Sequence, residues 1–191
     1  MELEFLHAIQ GIRSELLDSI MLAITTLGDA GILWIVTGVI LLAVPAVGKE
    51  EASHVQMRRK MGLCMLFAML LNLICGNLIL KNLIQRPRPS WVDTSVVPLI
   101  SPTDYSFPSG HTSASFAAAC SIFLYHKKSG IAAFVVATMI AFSRMYLFVH
   151  FPTDILGGIV LGVTCAIIVK YCAEKFIWNR AKKDTMETKE N

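Results

Sequence analysis

Charged residues are scarce in this chain of 191 residues, since Asp, Glu, Lys and Arg occupy only 16% of its positions. Hydrophobic residues make up 54% of the sequence. A water-soluble fold of this length would have too little polar surface to cover so large an apolar fraction. The composition therefore excludes an ordinary soluble domain and indicates a protein that lies in a lipid bilayer.

Several patterns that mark other functional classes are missing. The sequence contains no CxxC pair and no HExxH pair, which are typical of redox and zinc sites. No basic stripe is interleaved with aromatic residues, so we expect no nucleic-acid partner. The cysteines all fall inside apolar stretches, where we interpret them as small packing residues: Cys64, Cys75, Cys120, Cys165 and Cys172.

Five apolar stretches are each close to the length that a helix needs to cross the bilayer, about 20 residues. They cover residues 29–47, 61–80, 109–126, 131–148 and 155–176. A shorter run, 16–27, contains Asp18 and is either a sixth span or an interfacial helix. We therefore predict an all-α fold, a polytopic transmembrane helical bundle with five or six spans. Residues 1–178 are predicted to form one domain, and residues 179–191 a polar cytoplasmic tail.

Basic residues concentrate on one side of this predicted bundle, which the positive-inside rule makes the cytoplasmic side. Twelve of the 17 Lys and Arg residues lie there: Lys49, Arg58, Arg59, Lys60, Lys127, Lys128, Lys170, Lys175, Arg180, Lys182, Lys183 and Lys189. The opposite side carries Lys81, Arg86, Arg88 and Arg144, while Arg13 is unassigned. Charges that run against the rule commonly have a function.

Small residues mark one face of the last apolar stretch, where Gly158 and Gly162 form a GxxxG step. The adjacent Gly157 adds to this surface, which lets two helices approach closely. We favour packing within the chain, although the same surface would serve a homodimer.

Three of the outer cations are predicted to converge. Lys81 and Arg88 are seven residues apart, which places them two turns apart on one helix face if the helix continues to the prolines. Arg144 ends another apolar stretch on the same side. Three converging cations suit a phosphate dianion. The alternative is that they are interfacial side chains that reach towards water.

The sequence PSGH at residues 108–111 is predicted to begin a helix. Ser109 is expected at the N-cap, and Gly110 allows a tight turn, so free N–H groups and the positive end of the helix dipole would face an anion. His111 falls in the first turn, at the edge of such an anion. A lone histidine at this depth is more often structural, so its interpretation depends on its neighbours.

His150 and Asp154 are four residues apart and bracket Pro152, which favours the first turn of a helix. The carboxylate can therefore fold back onto one imidazole nitrogen, which fixes the tautomer and leaves the other nitrogen nucleophilic. Two histidines and one aspartate could also bind zinc, but the nearby cations would repel a divalent metal. We predict no metal and no other cofactor.

Together these segments resemble, residue by residue, the three-part signature of the type-2 phosphatidic acid phosphatase (PAP2) superfamily. KNLIQRPRP, PSGH and SRMYLFVHFPTD match its patterns KxxxxxxRP, PSGH and SRxxxxxHxxxD in the same order, over residues 81–154. The seven-residue spacing from Lys81 selects Arg88 rather than Arg86, which we interpret as an auxiliary positive charge.

The resemblance implies a role for each matching residue. His150 would attack phosphorus to form a phosphohistidine, and Asp154 would orient it. His111 would protonate the leaving oxygen and then activate water. The phosphoryl oxygens would be held by a larger set: Lys81, Arg88, Ser109, Gly110 and Arg144.

The resemblance also implies a membrane lipid phosphate as substrate, either a polyprenyl pyrophosphate, phosphatidylglycerophosphate or phosphatidic acid. Because the short chain is similar to bacterial undecaprenyl-pyrophosphate phosphatases, we rank undecaprenyl pyrophosphate first. We expect the bacterial inner membrane, with the active site on the extracytoplasmic side. A non-catalytic lipid-phosphate transporter would need the cations but no nucleophile, and vanadium-dependent haloperoxidases share the anion cage but are soluble and larger.

Overall fold

The computed structural model describes residues 1–45 and 51–179, which are mainly helical and include no strand, so the all-α prediction is confirmed. The principal helices are α1 (Glu2–Gln10), α2 (Glu15–Leu27), α3 (Ile32–Ala43), α4 (Ala52–Asn72), α5 (Pro89–Val92), α6 (Gly110–Phe123), α7 (Lys127–Tyr146) and α8 (Pro152–Ala173). Helix α4 continues through π-helical turns at Leu73–Leu80 into Lys81–Ile84, and α8 continues through Glu174–Trp178. Most of the predicted tail, and Lys49 with it, lies outside the described residues.

Within the described residues, fewer helices are suited to span a membrane than the hydropathy pattern predicts. Among the described residues, three helical stretches are long and apolar enough to cross a bilayer: Ala52–Val92, Lys127–Tyr146 and Pro152–Trp178. A fourth span results if Glu15–Leu27 and Asp29–Ala43, bent by 41°, are taken together. The predicted count of five or six spans is therefore not confirmed.

Two of the predicted spans account for this difference. The stretch 109–126 forms α6, which has 14 residues and is therefore only about 21 Å long, short of the hydrocarbon thickness. The described part of the stretch 29–47 provides only the second half of the bent pair, with the run 16–27 as the first half. Hydropathy locates an apolar segment, but the length of its helix depends on where turns begin and end it.

Helix α6 lies at the centre of the bundle and packs against α4, α7 and α8. Its contact with α8 depends on glycine, because a Cβ on Gly162 would lie 2.3 Å from the carbonyl oxygen of Ser113. A Cβ on Gly158 would lie 2.9 Å from that of Ser109. The GxxxG step therefore packs inside this chain, and it fixes the start of α6 against the start of α8.

The short helix α1 covers the connection between α7 and α8. Leu6 and Ile9 are buried in an apolar cluster with Tyr146, Phe148 and Phe151. Burial of such side chains contributes about 1.5–3 kcal/mol each, so the cluster holds α1 firmly against this connection. The connection carries His150, so α1 supports one wall of the candidate site.

Candidate active site

The segments predicted to act together line one cavity of about 740 Å³. Six of the eight predicted site residues line it: Lys81, Arg88, Gly110, His111, Arg144 and His150. Ser109 and Asp154 are fully buried and lie behind its wall. The cavity thus joins the end of α4, the start of α6, the end of α7 and the connection before α8.

His150 is buried, with only 1% of its surface exposed, and its two ring nitrogens have different surroundings. Nη1 of Arg88 lies 3.2 Å from Nε2. Because a guanidinium only donates hydrogen bonds, this contact requires Nε2 to carry the lone pair and Nδ1 the proton. Burial lowers the pKa of His150 to about 3, although the negative charge of Asp154 opposes this. The imidazole is therefore neutral at physiological pH, with its nucleophilic nitrogen beside a cation.

Asp154 faces Nδ1 of His150, but a serine that the sequence reasoning missed lies between them. Nδ1 of His150 is 3.6 Å from Oδ2 of Asp154, which is too long for a direct hydrogen bond. The hydroxyl of Ser106 donates to Oδ2 and lies 3.4 Å from Nδ1. The backbone N–H of Phe151 also donates to Oδ2, over 2.8 Å. These contacts fix the carboxylate that orients the imidazole.

Arg86 lies behind this pair instead of in the cavity wall. Its Nη1 donates to Oδ1 of Asp154 over 2.7 Å and to Oγ1 of Thr153 over 2.6 Å, while Nη2 donates to Glu2 over 2.6 Å. The guanidinium also lies over the ring of Phe151, 4.2 Å from its centroid. The charge predicted as auxiliary thus supports the orienting carboxylate and links it to α1.

Arg88 is 2% exposed and is held by several acceptors at once. Its Nε donates to the carbonyl oxygen of Asp104 over 2.7 Å, and Nη1 donates to that of Val149 over 2.7 Å. Nη2 donates to Oδ1 of Asp104 over 2.6 Å. The side chain is thereby immobilised with one edge towards Nε2 of His150.

The carboxylate of Asp104 occupies the space between two of the predicted phosphate ligands. It forms ion pairs with both Arg88 and Lys81, and 55% of its side chain remains exposed. Burial favours the neutral acid, but the hydrogen bond from Lys81 and the charges of both cations hold the pKa of Asp104 at about 2. The sequence reasoning missed this residue, although it is an acidic residue in the loop that joins the KNLIQRPRP and PSGH segments.

Arg144 presents a partly unsatisfied guanidinium to the cavity. Its Nη1 donates to Oγ1 of Thr25 over 2.5 Å. Its buried Nε has no hydrogen-bond partner within the part of the chain that the structure describes. A buried, desolvated N–H group beside a cavity is costly unless it meets an acceptor, so Arg144 is suited to bind an anion.

The start of α6 presents backbone donors as predicted, but Ser109 behaves differently. The first intrahelical bond runs from the N–H of Ser113 to the carbonyl of Ser109, which leaves the N–H groups of Gly110, His111 and Thr112 without a helical acceptor. The Ser109 hydroxyl occupies the N-cap position but accepts from Thr112 Oγ1 over 3.0 Å, and within the described residues it forms no capping bond. A direct contact of this hydroxyl with phosphate would therefore need it to turn.

The exposed side chain of Asp29 and the buried Gly28 complete the surroundings of His111. Oδ1 of Asp29 lies 2.8 Å from its Nε2. Gly28 lies against its ring, since a Cβ on that glycine would be 2.9 Å from Cδ2. Across the described residues, no cluster of three or more His, Cys, Asp and Glu side chains is arranged to hold a metal ion.

Comparison with known proteins gives consistent results. A profile of the PAP2 superfamily matches residues 61–178. Phosphatidylglycerophosphatase B of Bacillus subtilis is 41% identical over 113 residues, which are 52% of each protein. The chain spans about half the length of this and other curated relatives that it matches. Undecaprenyl-diphosphatase BcrC of Bacillus subtilis is 27% identical over 166 residues, 85% of this chain and 79% of that protein.

A solved structure is similar along most of the chain. The crystal structure of a transmembrane PAP2-type phosphatidylglycerolphosphate phosphatase from Bacillus subtilis superimposes with a TM-score of 0.71 and 31% identity. The match covers 93% of this chain and 86% of that one. The similarity therefore extends well beyond the signature segments, which span only residues 81–154.

Proposed function

This chain belongs to the PAP2 superfamily, and we propose from this premise that it is a metal-independent membrane lipid phosphatase that acts through a phosphohistidine on His150. The observation that carries the proposal is the neutral, buried imidazole of His150, whose Nε2 lies beside Arg88 in a cavity also lined by Lys81 and Arg144. A binding protein would need the cations alone. A nucleophile with an orienting carboxylate is the equipment of covalent catalysis.

The proposed reaction has two displacements at phosphorus. Nε2 of His150 attacks, the bond from phosphorus to the leaving oxygen breaks, and His111 gives that oxygen a proton. A water molecule then attacks the phosphohistidine while His111 takes its proton, and the bond from phosphorus to Nε2 breaks. The equatorial oxygens would be held by Arg88, Arg144, Lys81 and the N–H groups at the start of α6. These groups complement the charge on the oxygens in both transition states.

The shape of the cavity supports a substrate with an apolar tail. Away from the cations it is lined by aliphatic and methionine side chains of α3 and α4, namely Ile35, Leu66, Met69, Leu70 and Leu73. Ile35, Leu70 and Leu73 are also exposed on the outside of the bundle, where lipid would surround them. A headgroup can thus reach His150 while its tail stays among apolar groups.

The charges of the described residues support an extracytoplasmic site. Basic side chains at the far end of the bundle from the cavity include Arg58, Arg59, Lys60, Lys127 and Lys128, at the starts of α4 and α7. The positive-inside rule places that end in the cytoplasm, so the cavity would open to the outer side.

Undecaprenyl pyrophosphate is the first candidate substrate, and phosphatidylglycerophosphate or phosphatidic acid the alternative. Relatives named for each of the first two activities match the chain, at 27% and 41% identity respectively. The test is phosphate release by the purified protein in detergent with EDTA, comparing all three lipids. We expect activity in EDTA with a preference for undecaprenyl pyrophosphate, and comparable rates would instead indicate a broad lipid phosphatase. Loss of activity in EDTA would contradict the metal-free mechanism, and no release from any lipid would favour a transporter.

Asp104 is expected to compete with phosphate for Lys81 and Arg88. Replacing it with asparagine removes a negative charge that lies between the two cations, so inorganic phosphate or vanadate should bind more tightly, by about tenfold. Because the pKa of Asp104 is about 2, the gain should be present at every pH above about 4. Inhibition constants for vanadate against the lipid substrate would measure it.

The matched control is Asp93→Asn, which removes a carboxylate from the same outer segment. Asp93 pairs with His7 over 2.7 Å instead of with the cavity cations. It should therefore leave the inhibition constant within about twofold. Weaker vanadate binding in Asp104→Asn would show that Asp104 serves to hold the cations in place, and the competition would then be excluded.

A further inference from the structure

Asp29 lies outside all three signature segments but contacts His111, which belongs to the second of them. The two side chains are 82 positions apart in the sequence, and Oδ1 of Asp29 lies 2.8 Å from Nε2 of His111. Both residues line the same cavity. We propose that Asp29 is a positioning residue that fixes the orientation and tautomer of His111, so that the proton is exchanged with substrate and water through Nδ1. The proposal rests on the function proposed above and assigns a further residue to that reaction.

The break between α2 and α3 is shaped to deliver this carboxylate. Ala30 and Gly31 have φ angles of 49° and 68°, in the left-handed region that a residue with a side chain such as Ala30 rarely adopts. A non-glycine residue in that region is strained and persists only where the surrounding structure enforces it. Asp29 lies directly before this pair, at the point where the helices bend by 41°.

The same break also packs against the imidazole ring of His111. Gly28 lies so close to the ring of His111 that a Cβ would be 2.9 Å from both Cδ2 and Ile140 Cγ2. A larger residue at 28 would displace the ring, and Gly31 likewise has no room, because its Cβ would lie 2.8 Å from Met69. The break therefore lies beside Cδ2 of His111 through Gly28 and beside Nε2 through Asp29.

The charges around His111 give the carboxylate a chemical task. Burial lowers the pKa of His111, and the charges of Arg144 from α7 and Lys81 from the end of α4 lower it further. Asp29 acts in the opposite sense. A bound phosphate dianion would add its negative charge to that of Asp29. The imidazolium needed to protonate a leaving oxygen can therefore form when substrate is present.

The contact also assigns the two nitrogens. With the Nε2 proton donated to Asp29, the Nδ1 proton passes to the leaving oxygen as the bond from phosphorus breaks. Nδ1 is then left with a lone pair, which accepts the proton of the attacking water in the second displacement. The Nε2 proton stays on His111 and remains hydrogen-bonded to Asp29 throughout. Asp29 therefore touches neither substrate nor water and acts through His111.

The test compares substrates whose leaving groups differ in their need for a proton. In Asp29→Asn, kcat for phosphatidic acid, which must expel an alkoxide, should fall by about 100-fold while KM changes little. With 4-nitrophenyl phosphate, the first displacement needs no proton, so it should stay fast while the second becomes slow. We expect a burst of nitrophenolate and an accumulated phosphohistidine, seen by acid-labile ³²P labelling. Asp29→Glu, which keeps the carboxylate, should recover part of kcat.

Asp18→Asn is the matched control, because Asp18 is a carboxylate on the neighbouring helix α2 that contacts Arg13 and Tyr146 instead of the cavity. It should keep kcat within about twofold. The proposal would be overturned if Asp29→Asn turned over at the wild-type rate. It would also be overturned if the variant lost activity on both substrates equally and lost vanadate binding with it. Failure of the wild type to release phosphate would instead refute the proposed function itself, so the two failures are distinguishable.

Discussion

Phosphate release by His150→Ala is expected to fall almost to zero. The variant has no atom that can replace Nε2 as nucleophile, whereas Arg88 and Arg144 would still bind the phosphate. Removal of a catalytic nucleophile leaves only the contribution of binding and electrostatics, and losses of about 10⁶-fold are the relevant scale. Phosphate release in detergent measures the loss, and ³²P labelling should show a phosphoenzyme in the wild type and none in the variant.

The buried position of His150 determines the controls. The imidazole is 1% exposed, so alanine leaves a void and should cost about 1–3 kcal/mol of stability. The void also provides room for added imidazole, which should restore part of the turnover. His54→Ala removes an exposed histidine at the far end of α4 and should be fully active. Undiminished turnover in His150→Ala would exclude the phosphohistidine mechanism.

Sequence reasoning identified the helices and the residues that meet in the cavity, because both depend on local patterns. Long apolar runs determine which segments can lie in lipid, and the fixed spacings around Lys81, His111 and His150 locate groups on helix ends that share one membrane face. That six of the predicted residues line one cavity follows from this shared face. The prediction of these residues required no periodic pattern other than these spacings.

The contacts that support those residues could not be predicted in the same way. Ser106 and Asp154 are 48 positions apart, Arg86 and Asp154 68, and His111 and Asp29 82. Each pair depends on how separate helices pack, and a single serine or aspartate in a loop carries no periodic signal. One clue was available for Asp104, because an acidic residue on a face with several cations is expected to pair with one of them.

The limits of the hydropathy pattern have the same origin. The segment 109–126 is apolar because α6 is buried among other helices, and not because it is long enough to face lipid along its whole length. A central helix and a membrane span have the same composition in a window of this size. The bend at Gly28–Gly31 is equally invisible to hydropathy, although it carries Asp29 into the site.

Arg88→Lys is expected to lower kcat/KM by about 10²–10³-fold, even though the charge is kept. The planar guanidinium contacts the carbonyl and carboxylate of Asp104, the carbonyl of Val149 and Nε2 of His150 at the same time. A lysine ammonium is a compact point charge that cannot reach all of these acceptors. The carbonyl of Val149 would lose its donor, and the connection that carries the nucleophile would lose its anchor.

Separate kcat and KM values for Arg88→Lys distinguish the two tasks of the guanidinium. Loss of phosphoryl binding alone would raise KM and weaken vanadate inhibition, whereas misplacement of Nε2 would lower kcat as well. We expect both, because the same Nη1 contacts Val149 and His150. Arg59→Lys, an exposed exchange on α4 away from the cavity, should match the wild type. Full activity in Arg88→Lys would mean that a point charge suffices and that the planar geometry of the guanidinium has no catalytic role.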